Sequence, residues 1–303
     1  MEKTAEQVGL IQKTVDKKKV IKTLEPYFYI VPCMIIFVGF TYFPFLKTIY
    51  LSLFNTNASG EISSFAGMSN YINLFKSPSF INSIVVTLKY VIVTTIPSIL
   101  IGLILSLVCN NKLKFKGLFG TMYAIPMAVS SASASVIWVL LFNPSIGLIN
   151  FILKKNIGWL TSPYWAFIAV SIVSIWLKSC MNFIFIISAL KNIPEELVES
   201  ASIDGANYLQ RLKNVILPCI SPTLFFVIVI DIIQAFQTFA EISIMTTGGP
   251  GEATNVLVYS IYKDAFYNNR FGVASAESII LFLIMLVITL FQFRYEKKKV
   301  FYK

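Results

Sequence analysis

The sequence contains no histidine among its 303 residues and only four cysteines. Cys33, Cys109, Cys180 and Cys219 stand alone inside or beside apolar runs, and no two of them form a C-x-x-C pair. Zinc sites and Cys–His nucleophiles need histidine or clustered cysteine, and a disulfide framework needs cysteines that can pair. The sequence therefore predicts none of these three kinds of site.

Charged residues are also scarce. They make up 13% of the chain, whereas 56% of the residues are hydrophobic and the mean hydropathy is +0.73. A soluble domain usually has about 25% charged residues, so this balance predicts a polytopic membrane protein. The chain also lacks the G-x-x-x-x-G-K-[ST] phosphate-binding loop, so we expect it to bind no nucleotide itself.

Six apolar segments are long enough to span a hydrocarbon core of about 30 Å. They lie at residues 27–46, 83–109, 118–142, 165–190, 223–245 and 272–293. This spacing predicts an all-α membrane protein. It would have a basic amino-terminal tail at 1–26, a six-helix domain at 27–293 and a basic carboxyl-terminal tail at 294–303.

The positions of lysine and arginine predict the orientation of the spans. If the amino terminus is inside the cell, 17 of these residues lie in inner segments and five in outer segments. Inner loops of membrane proteins carry the excess of positive charge. We therefore predict that both termini and residues 191–222, between helices 4 and 5, are cytoplasmic. The net charge of +10 then reflects topology and contact with anionic lipid, not nucleic acid binding.

Residues 195–218 form the one long polar interruption in the second half of the chain. Three glutamates in the first five residues suit a helix amino terminus, and Gly205 divides the segment into two short helices. Apolar residues then recur at helical spacing until Pro218. Periodicity alone fits an ordinary amphipathic helix on the membrane surface.

Two predicted spans carry polar residues, which are costly inside a membrane and mark functional candidates. The fourth span places Ser171, Ser174, Lys178 and Asn182 on one narrow stripe, and the fifth places Asp231, Gln234, Gln237 and Glu241 on another. The two stripes suggest a shared lumen. Lys178 and Asp231 have similar predicted depths, so we hypothesise a contact between them, direct or through water. Such a pair would line a pathway or only hold two helices together.

Two motifs carry a resemblance to a known family. The first is E-x-A-x-x-D-G-A followed by Leu-Pro, at Glu199, Ala201, Asp204, Gly205, Ala206, Leu217 and Pro218. The second is T-x-G-G-P, in a loop predicted to lie on the outer side, with Gly248, Gly249 and Pro250 as its last three residues. Together they resemble the carbohydrate-uptake branch of ABC importer permeases over residues 27–295. Ser200 replaces the commoner alanine, and Leu212 stands where an aromatic residue is frequent.

This resemblance implies a type I ABC importer permease fold and a transport subunit without enzymatic activity of its own. The residues that match the first motif would form a cytoplasmic coupling helix, with Glu199 and Asp204 contacting an ATPase subunit and Gly205 allowing the tight turn. The partners implied are a second, homologous permease subunit, two ATPase subunits that hold ATP and magnesium, and an external solute-binding protein. No cofactor is expected on this chain, which would lie in a prokaryotic cell membrane.

The cargo implied is a sugar or oligosaccharide, with glycerol phosphate or another polyol left open. We expect Lys178, Asn182, Asp231, Gln234, Phe236 and Gln237 to line its pathway. An intramembrane enzyme is a rival interpretation, but its paired carboxylates or Ser–Lys arrangement are only weakly matched. A self-contained carrier or channel is another, but it would need no such cytoplasmic loop, and no inverted repeat is evident.

Overall fold

The computed structural model describes residues 26–57, 59–110 and 116–299. The predicted tail at 1–26 therefore lies outside the described residues except for Pro26, and so do residues 300–303 of the second tail. The described part of the chain is mostly helical, as predicted.

The first helix, α1 (Pro26–Ser52), contains a π-helical turn at Val38–Tyr42. This turn precedes Pro44, whose missing N–H interrupts the regular bonding of an α-helix. After α1 the chain forms an antiparallel hairpin of β1 (Phe54–Thr56) and β2 (Ile62–Phe65). The all-α prediction missed this hairpin, because strands of three and four residues are too short to show a clear alternation.

The hairpin leads into α2 (Ser69–Lys76) and then the long helix α3 (Pro78–Asn110). Pro97 lies inside α3 without ending it. Neighbouring helices in a membrane can satisfy the backbone group that such a proline frees.

The third predicted span is two helices instead of one. α4 (Lys116–Ala124) runs into a 3-10 turn at Ile125–Ala128, and α5 (Ser131–Leu141) then continues at 102°. Ser130 caps the new helix by accepting a 3.1 Å hydrogen bond from the backbone N–H of Ser133. The predicted span at 118–142 is therefore bent and not one continuous helix, because a proline and a capping serine stand at its centre.

The short helix α6 (Leu148–Leu153) precedes α7 (Pro163–Lys191), which packs along α3. Gly102 of α3 permits the close approach. A Cβ atom built there would lie 2.8 Å from Cβ of Asn182 and 3.1 Å from the backbone nitrogen of Phe183. Small residues allow such contact between transmembrane helices.

The polar interruption forms α8 (Glu195–Ile203) and the first part of α9 (Tyr208–Cys219). α10 (Ser221–Phe236) follows α9 at an angle of 69°. The predicted fifth span at 223–245 does not continue to its end as one helix, because the backbone leaves helical geometry at Phe239, where φ is −133°. The separate helix α11 (Ala240–Met245) follows.

The chain ends with α12 (Leu257–Tyr262), a π-helical turn at Lys263–Tyr267, and α13 (Phe271–Lys299). Within the described residues, four helices are long and apolar enough to cross a membrane, and there are six crossings if each bent pair counts as one span. The four are α1, α3, α7 and α13.

Two apolar clusters define opposite ends of the bundle. One joins α2, the start of α3, α12 and the start of α13, through Leu74, Phe80, Leu257, Ala276 and Ile280. The other joins the end of α3, the end of α7 and the start of α10, through Leu103, Leu107, Ile186, Leu190 and Ile220. The α8–α9 segment therefore lies at the end opposite α12.

Candidate functional site

The predicted break at Gly205 is a tight helix end. The N–H of Ala206 bonds to the carbonyl of Ala201 at 3.0 Å, and the N–H of Gly205 bonds to the carbonyl of Ser202 at 3.1 Å. These are the two bonds of a Schellman motif, which places a left-handed residue just after the helix. Gly205 is that residue, with φ of +82°, and the space around it is open. The glycine is therefore required by backbone conformation and not by crowding.

The second short helix begins with a capping box. Asn207 Oδ1 accepts a 2.9 Å bond from the N–H of Gln210, and Gln210 Oε1 accepts a 2.8 Å bond from the N–H of Asn207. Arg211 Nη1 also donates a 2.6 Å bond to Ser202 Oγ and so ties α9 to α8. The two helices thus form one compact unit, which we call the α8–α9 unit (residues 195–211).

The α8–α9 unit exposes both apolar and charged side chains. Ile203 is 86% exposed and Leu209 is 71% exposed, although both are apolar. The side chains of Glu199 and Asp204 are exposed too, and neither forms an ion pair with another described residue. Ala201 and Ala206 are half-buried beneath them. The motif residues therefore lie on a surface that combines free carboxylates with bare apolar side chains.

In the centre of the bundle, Asp231 is the acceptor of a buried polar cluster. Its Oδ2 atom accepts a 2.6 Å bond from Ser98 Oγ of α3 and a 2.8 Å bond from Asn182 Nδ2 of α7. Asp231 is 2% exposed, so these bonds replace the water that a carboxylate would otherwise bind. Sequence reasoning missed Ser98, since one hydroxyl among many apolar residues carries no periodic signal.

Lys178 contacts Asp231 directly, as hypothesised, but through the backbone and not through the carboxylate. Its Nζ atom donates a 3.4 Å bond to the backbone carbonyl of Asp231, and no ion pair forms between these two described side chains. Ser98 and Asn182 both bond to the Oδ2 atom of this carboxylate, whereas Lys178 bonds to the backbone of the same residue.

A cavity of about 480 Å³ lies beside this cluster, where the breaks of two spans meet α7. The third span contributes Pro126, Met127, Val129 and Ser131, and α7 contributes Ser174, Leu177, Lys178 and Met181. The rest of the lining is Gln234, Gln237, Thr238, Phe239, Ala240 and Glu241. This volume is within the usual range for small-molecule sites, about 300–1,000 Å³.

Three of the six residues expected to line the pathway lie in the wall of this cavity: Lys178, Gln234 and Gln237. Asn182 and Asp231 lie behind the cavity in the buried cluster and are not part of its lining. Phe236 is 2% exposed, packs with Val91 and Ala235, and is not part of the lining of this cavity.

The helix break after Phe236 changes the predicted stripe of the fifth span. Asp231, Gln234, Gln237 and Glu241 were expected on one face of a continuous helix, but Glu241 belongs to α11. The change of direction brings Thr238 and Glu241 to the cavity. The stripe on α7 is as expected, because this helix is continuous from Pro163 to Lys191.

The glycine-rich outer motif is an ordered turn. Gly248 has φ of +80°, and a Cβ atom there would lie 2.9 Å from a ring carbon of Tyr259. Thr254 Oγ1 donates a 2.8 Å bond to the carbonyl of Gly249, and the peptide bond between Gly249 and Pro250 is cis. The turn is therefore held by its own hydrogen bonds and by packing on α12.

Comparison with known proteins finds a family-model match over residues 62–300. The family is described as "Binding-protein-dependent transport system inner membrane component". Among curated relatives, the sn-glycerol-3-phosphate transport system permease protein UgpA of Agrobacterium fabrum is 36% identical over 281 residues, which is 91% of this chain and 96% of the relative. The protein of the same name from Rhizobium meliloti is 32% identical over 96% of this chain and its own full length.

Solved structures agree with these relatives. The structure of a bacterial ABC transporter involved in the import of the acidic polysaccharide alginate is similar, with a TM-score of 0.81 and 25% identity. The match covers 92% of this chain and 98% of that one. The alginate transporter in complex with an alginate pentasaccharide-bound periplasmic protein has the same TM-score at 24% identity.

Proposed function

Because the chain belongs to the family of binding-protein-dependent transport system inner membrane components, we propose that it moves a sugar or oligosaccharide inward across a prokaryotic cell membrane. The cargo would come from an external solute-binding protein. The observation that carries this proposal is the 480 Å³ cavity between α7 and the breaks of two other spans. Binding sites of many membrane transporters likewise lie at broken helices.

The proposed topology has six spans and two cytoplasmic termini. The two bent helix pairs raise the number of crossings from four to six, and an even number puts both termini on the same side. The excess of lysine and arginine in the predicted inner segments supports the cytoplasmic side. The α8–α9 unit would then face the cytoplasm, and the Gly248–Pro250 turn would face outward.

The chemistry of the cavity suits a polyhydroxy cargo. Gln234, Gln237 and Thr238 supply amide and hydroxyl groups, and Phe239 supplies an aromatic face. Among the described lining residues, Lys178 is the one cation and Glu241 the one carboxylate, so the lining has no excess charge when both are ionised. A neutral sugar needs this mixture of donors and acceptors more than a cluster of one charge.

We further propose that the α8–α9 unit docks on an ATPase subunit. Its exposed Ile203 and Leu209 would be covered by the partner, while Glu199 and Asp204 would meet basic or N–H groups there. The chain lacks a phosphate-binding loop, so ATP and magnesium would be held by two ATPase subunits. Their closure would move the unit and rock the spans between inward and outward access.

The complete importer would contain a second, homologous permease subunit, two ATPase subunits and the external binding protein. The family description names binding-protein dependence, and the alginate transporter occurs in complex with a periplasmic protein. These observations support the binding protein directly. The other subunits follow from the ABC importer architecture that the alginate transporter shares.

Glycerol phosphate is the second candidate cargo. The curated relatives are named for it, alginate is itself acidic, and Lys178 supplies a cation in the cavity. Replacing Glu241 separates the candidates. Glu241→Gln removes a repulsive charge and should improve uptake of a phosphate, whereas it removes a strong acceptor and should weaken uptake of a neutral sugar. Lys178→Met should abolish only the uptake of an anion.

The function is tested by substrate-stimulated ATP hydrolysis of the purified complex in lipid. We expect Asp204→Lys and Gly205→Leu to lose stimulation or the copurifying ATPase subunit, and Glu195→Lys, outside the motif on the same helix, to retain both. Full stimulation with normal assembly in both motif variants would make the α8–α9 unit an ordinary surface segment and contradict the proposal.

A further inference from the structure

A second polar cavity, of about 380 Å³, lies at the end of the bundle opposite the α8–α9 unit. Its walls come from the β1–β2 hairpin, α2, the start of α3, α12 and the start of α13. It is separate from the cavity beside Lys178, and it shares no lining residue with it. Its four charged lining residues are Lys263, Asp264, Arg270 and Glu277.

Three of these four charges are already paired. Arg270 Nη2 donates to Asp264 Oδ1 at 2.9 Å and to Oδ2 at 3.0 Å, and Asn268 Nδ2 donates to the same Oδ1 at 2.6 Å. Lys263 Nζ lies 3.6 Å from Glu252 Oε1. The cations of the cavity are therefore directed to carboxylates other than Glu277.

Glu277 is left without a counter-charge. It is 1% exposed, its Oε1 atom accepts a single 3.2 Å bond from Ser260 Oγ, and its Oε2 atom has no hydrogen-bond partner among the described residues. Burying an ionised carboxylate with one oxygen unpaired is strongly unfavourable. A cation beside Oε2, or a proton on it, would remove this penalty.

Four asparagines line the cavity, and each of them uses its Nδ2 atom as a hydrogen-bond donor to a neighbouring oxygen. Asn70 Nδ2 donates to the backbone carbonyls of Ser52 at 2.9 Å and Phe54 at 3.1 Å. The Nδ2 atoms of Asn55, Asn73 and Asn268 also donate to neighbouring oxygens. For Asn70 and Asn268 the acceptors are carbonyl and carboxylate oxygens, which can only accept, so these two amide orientations are settled. Among the described residues no donor bonds to the Oδ1 atoms of the four asparagines, which remain free as ligands.

We propose that this cavity binds a monovalent alkali cation, held by the carboxylate of Glu277 and by carboxamide oxygens. Carboxylate and carbonyl oxygens are the ligands of hard cations. Within the described residues no three His, Cys, Asp or Glu side chains are grouped as a metal site, and one unpaired carboxylate balances one charge. The cation would join the hairpin and α2 to α13 at this end of the bundle.

Equilibrium binding of 22Na+ to the intact importer in lipid nanodiscs tests the site. The wild type should bind one more sodium ion per copy of this chain than Glu277→Gln, which keeps the shape but removes the charge. Glu61→Gln, an exposed carboxylate in the hairpin at the same end, is the matched control and should bind as the wild type does. Asn73→Ala, at an exposed position, should weaken apparent affinity about fivefold without impairing assembly.

Thermal unfolding supplies an independent readout. Replacing choline chloride by sodium chloride at constant ionic strength should raise the midpoint of the wild type and of Glu61→Gln, but not of Glu277→Gln. Equal sodium binding by all variants would overturn the proposal. So would a sodium-independent midpoint that falls with rising pH only when Glu277 is present, because a proton would then occupy Oε2.

Discussion

Asn182 Nδ2 donates a 2.8 Å hydrogen bond to Asp231 Oδ2 and joins α7 to α10 across the buried centre of the bundle. Ser98 of α3 donates to the same oxygen, so three helices meet at one carboxylate. Lys178 approaches the backbone of Asp231 from the cavity side. The cluster therefore fixes the back wall of the cavity.

This bond predicts energetic coupling between Asn182 and Asp231. Asn182→Leu leaves the buried Asp231 with Ser98 as its one remaining side-chain donor among the described residues, and Asp231→Leu leaves the buried Asn182 Nδ2 without its acceptor. Each loss should cost about 1–3 kcal/mol. The double variant removes both partners, so its loss should be smaller than the sum by about 0.5–3 kcal/mol. Thermal unfolding of the three variants in nanodiscs measures the difference. Strictly additive losses would contradict a direct interaction.

The close approach of α3 and α7 predicts that Gly102→Ala destabilises the bundle by about 1–3 kcal/mol, because backbone atoms of α7 must shift. The shift would displace Asn182 from Asp231 and lower transport as well. Gly120→Ala is the control, since its Cβ atom would lie 3.6 Å from the ring of Phe183, an ordinary contact. Equal unfolding midpoints for the two variants would argue against the tight helix contact.

Replacing the adjacent residues Phe236 and Gln237 should affect different properties, stability for Phe236 and uptake kinetics for Gln237. Gln237 lines the cavity, so Gln237→Ala should lower kcat/KM for uptake about 3–10-fold through one lost hydrogen bond, with an unchanged unfolding midpoint. Phe236 is buried, so Phe236→Ala should lower stability by roughly 3–5 kcal/mol and leave KM unchanged at permissive temperature. Initial uptake rates and thermal unfolding of both variants distinguish these roles. A changed KM in Phe236→Ala would indicate that Phe236 does line the substrate pathway.

The left-handed conformation of Gly205 predicts that Gly205→Ala destabilises the end of α8 by about 1 kcal/mol. The amides of Gly205 and Ala206 should then exchange their hydrogens about fivefold faster. Gly117→Ala is a suitable control, because Gly117 is helical and its surroundings are also open. Hydrogen exchange measured by mass spectrometry compares the Gly205→Ala and Gly117→Ala variants with the wild type. Unchanged exchange in Gly205→Ala would mean that the turn tolerates a side chain.

Local signals in the sequence predicted much of this architecture. Long apolar runs identify α3, α7 and α13, because a bilayer demands about 20 apolar residues per helix. The break at Gly205 was also predictable, since glycine favours left-handed conformations. The polar stripe on α7 was placed correctly because the helix around Lys178 and Asn182 is unbroken.

Tertiary structure decided the remaining features. No proline or glycine marks the break at Gln237, so periodicity continued the helix and placed Glu241 on the same helical face as Asp231. Ser98 meets Asp231 across 133 positions of sequence, a pairing that no local pattern reveals. Glu277 is buried where α2 and α12 pack against the start of α13, a contact that the local sequence around it does not reveal. Each miss concerns a contact between distant segments.

The turn between α8 and α9 has a mechanical consequence. Its Schellman bonds, its capping box and the bond from Arg211 to Ser202 all lie within the unit itself, so its shape does not depend on the rest of the bundle. A body closed by its own bonds is stiff, and a push on one face displaces the whole of it. Force applied at Asp204 would therefore move the unit as a whole, and bending would fall between Arg211 and the start of α10, where α9 has a π-helical turn at Leu212–Ile216 and meets α10 at 69°.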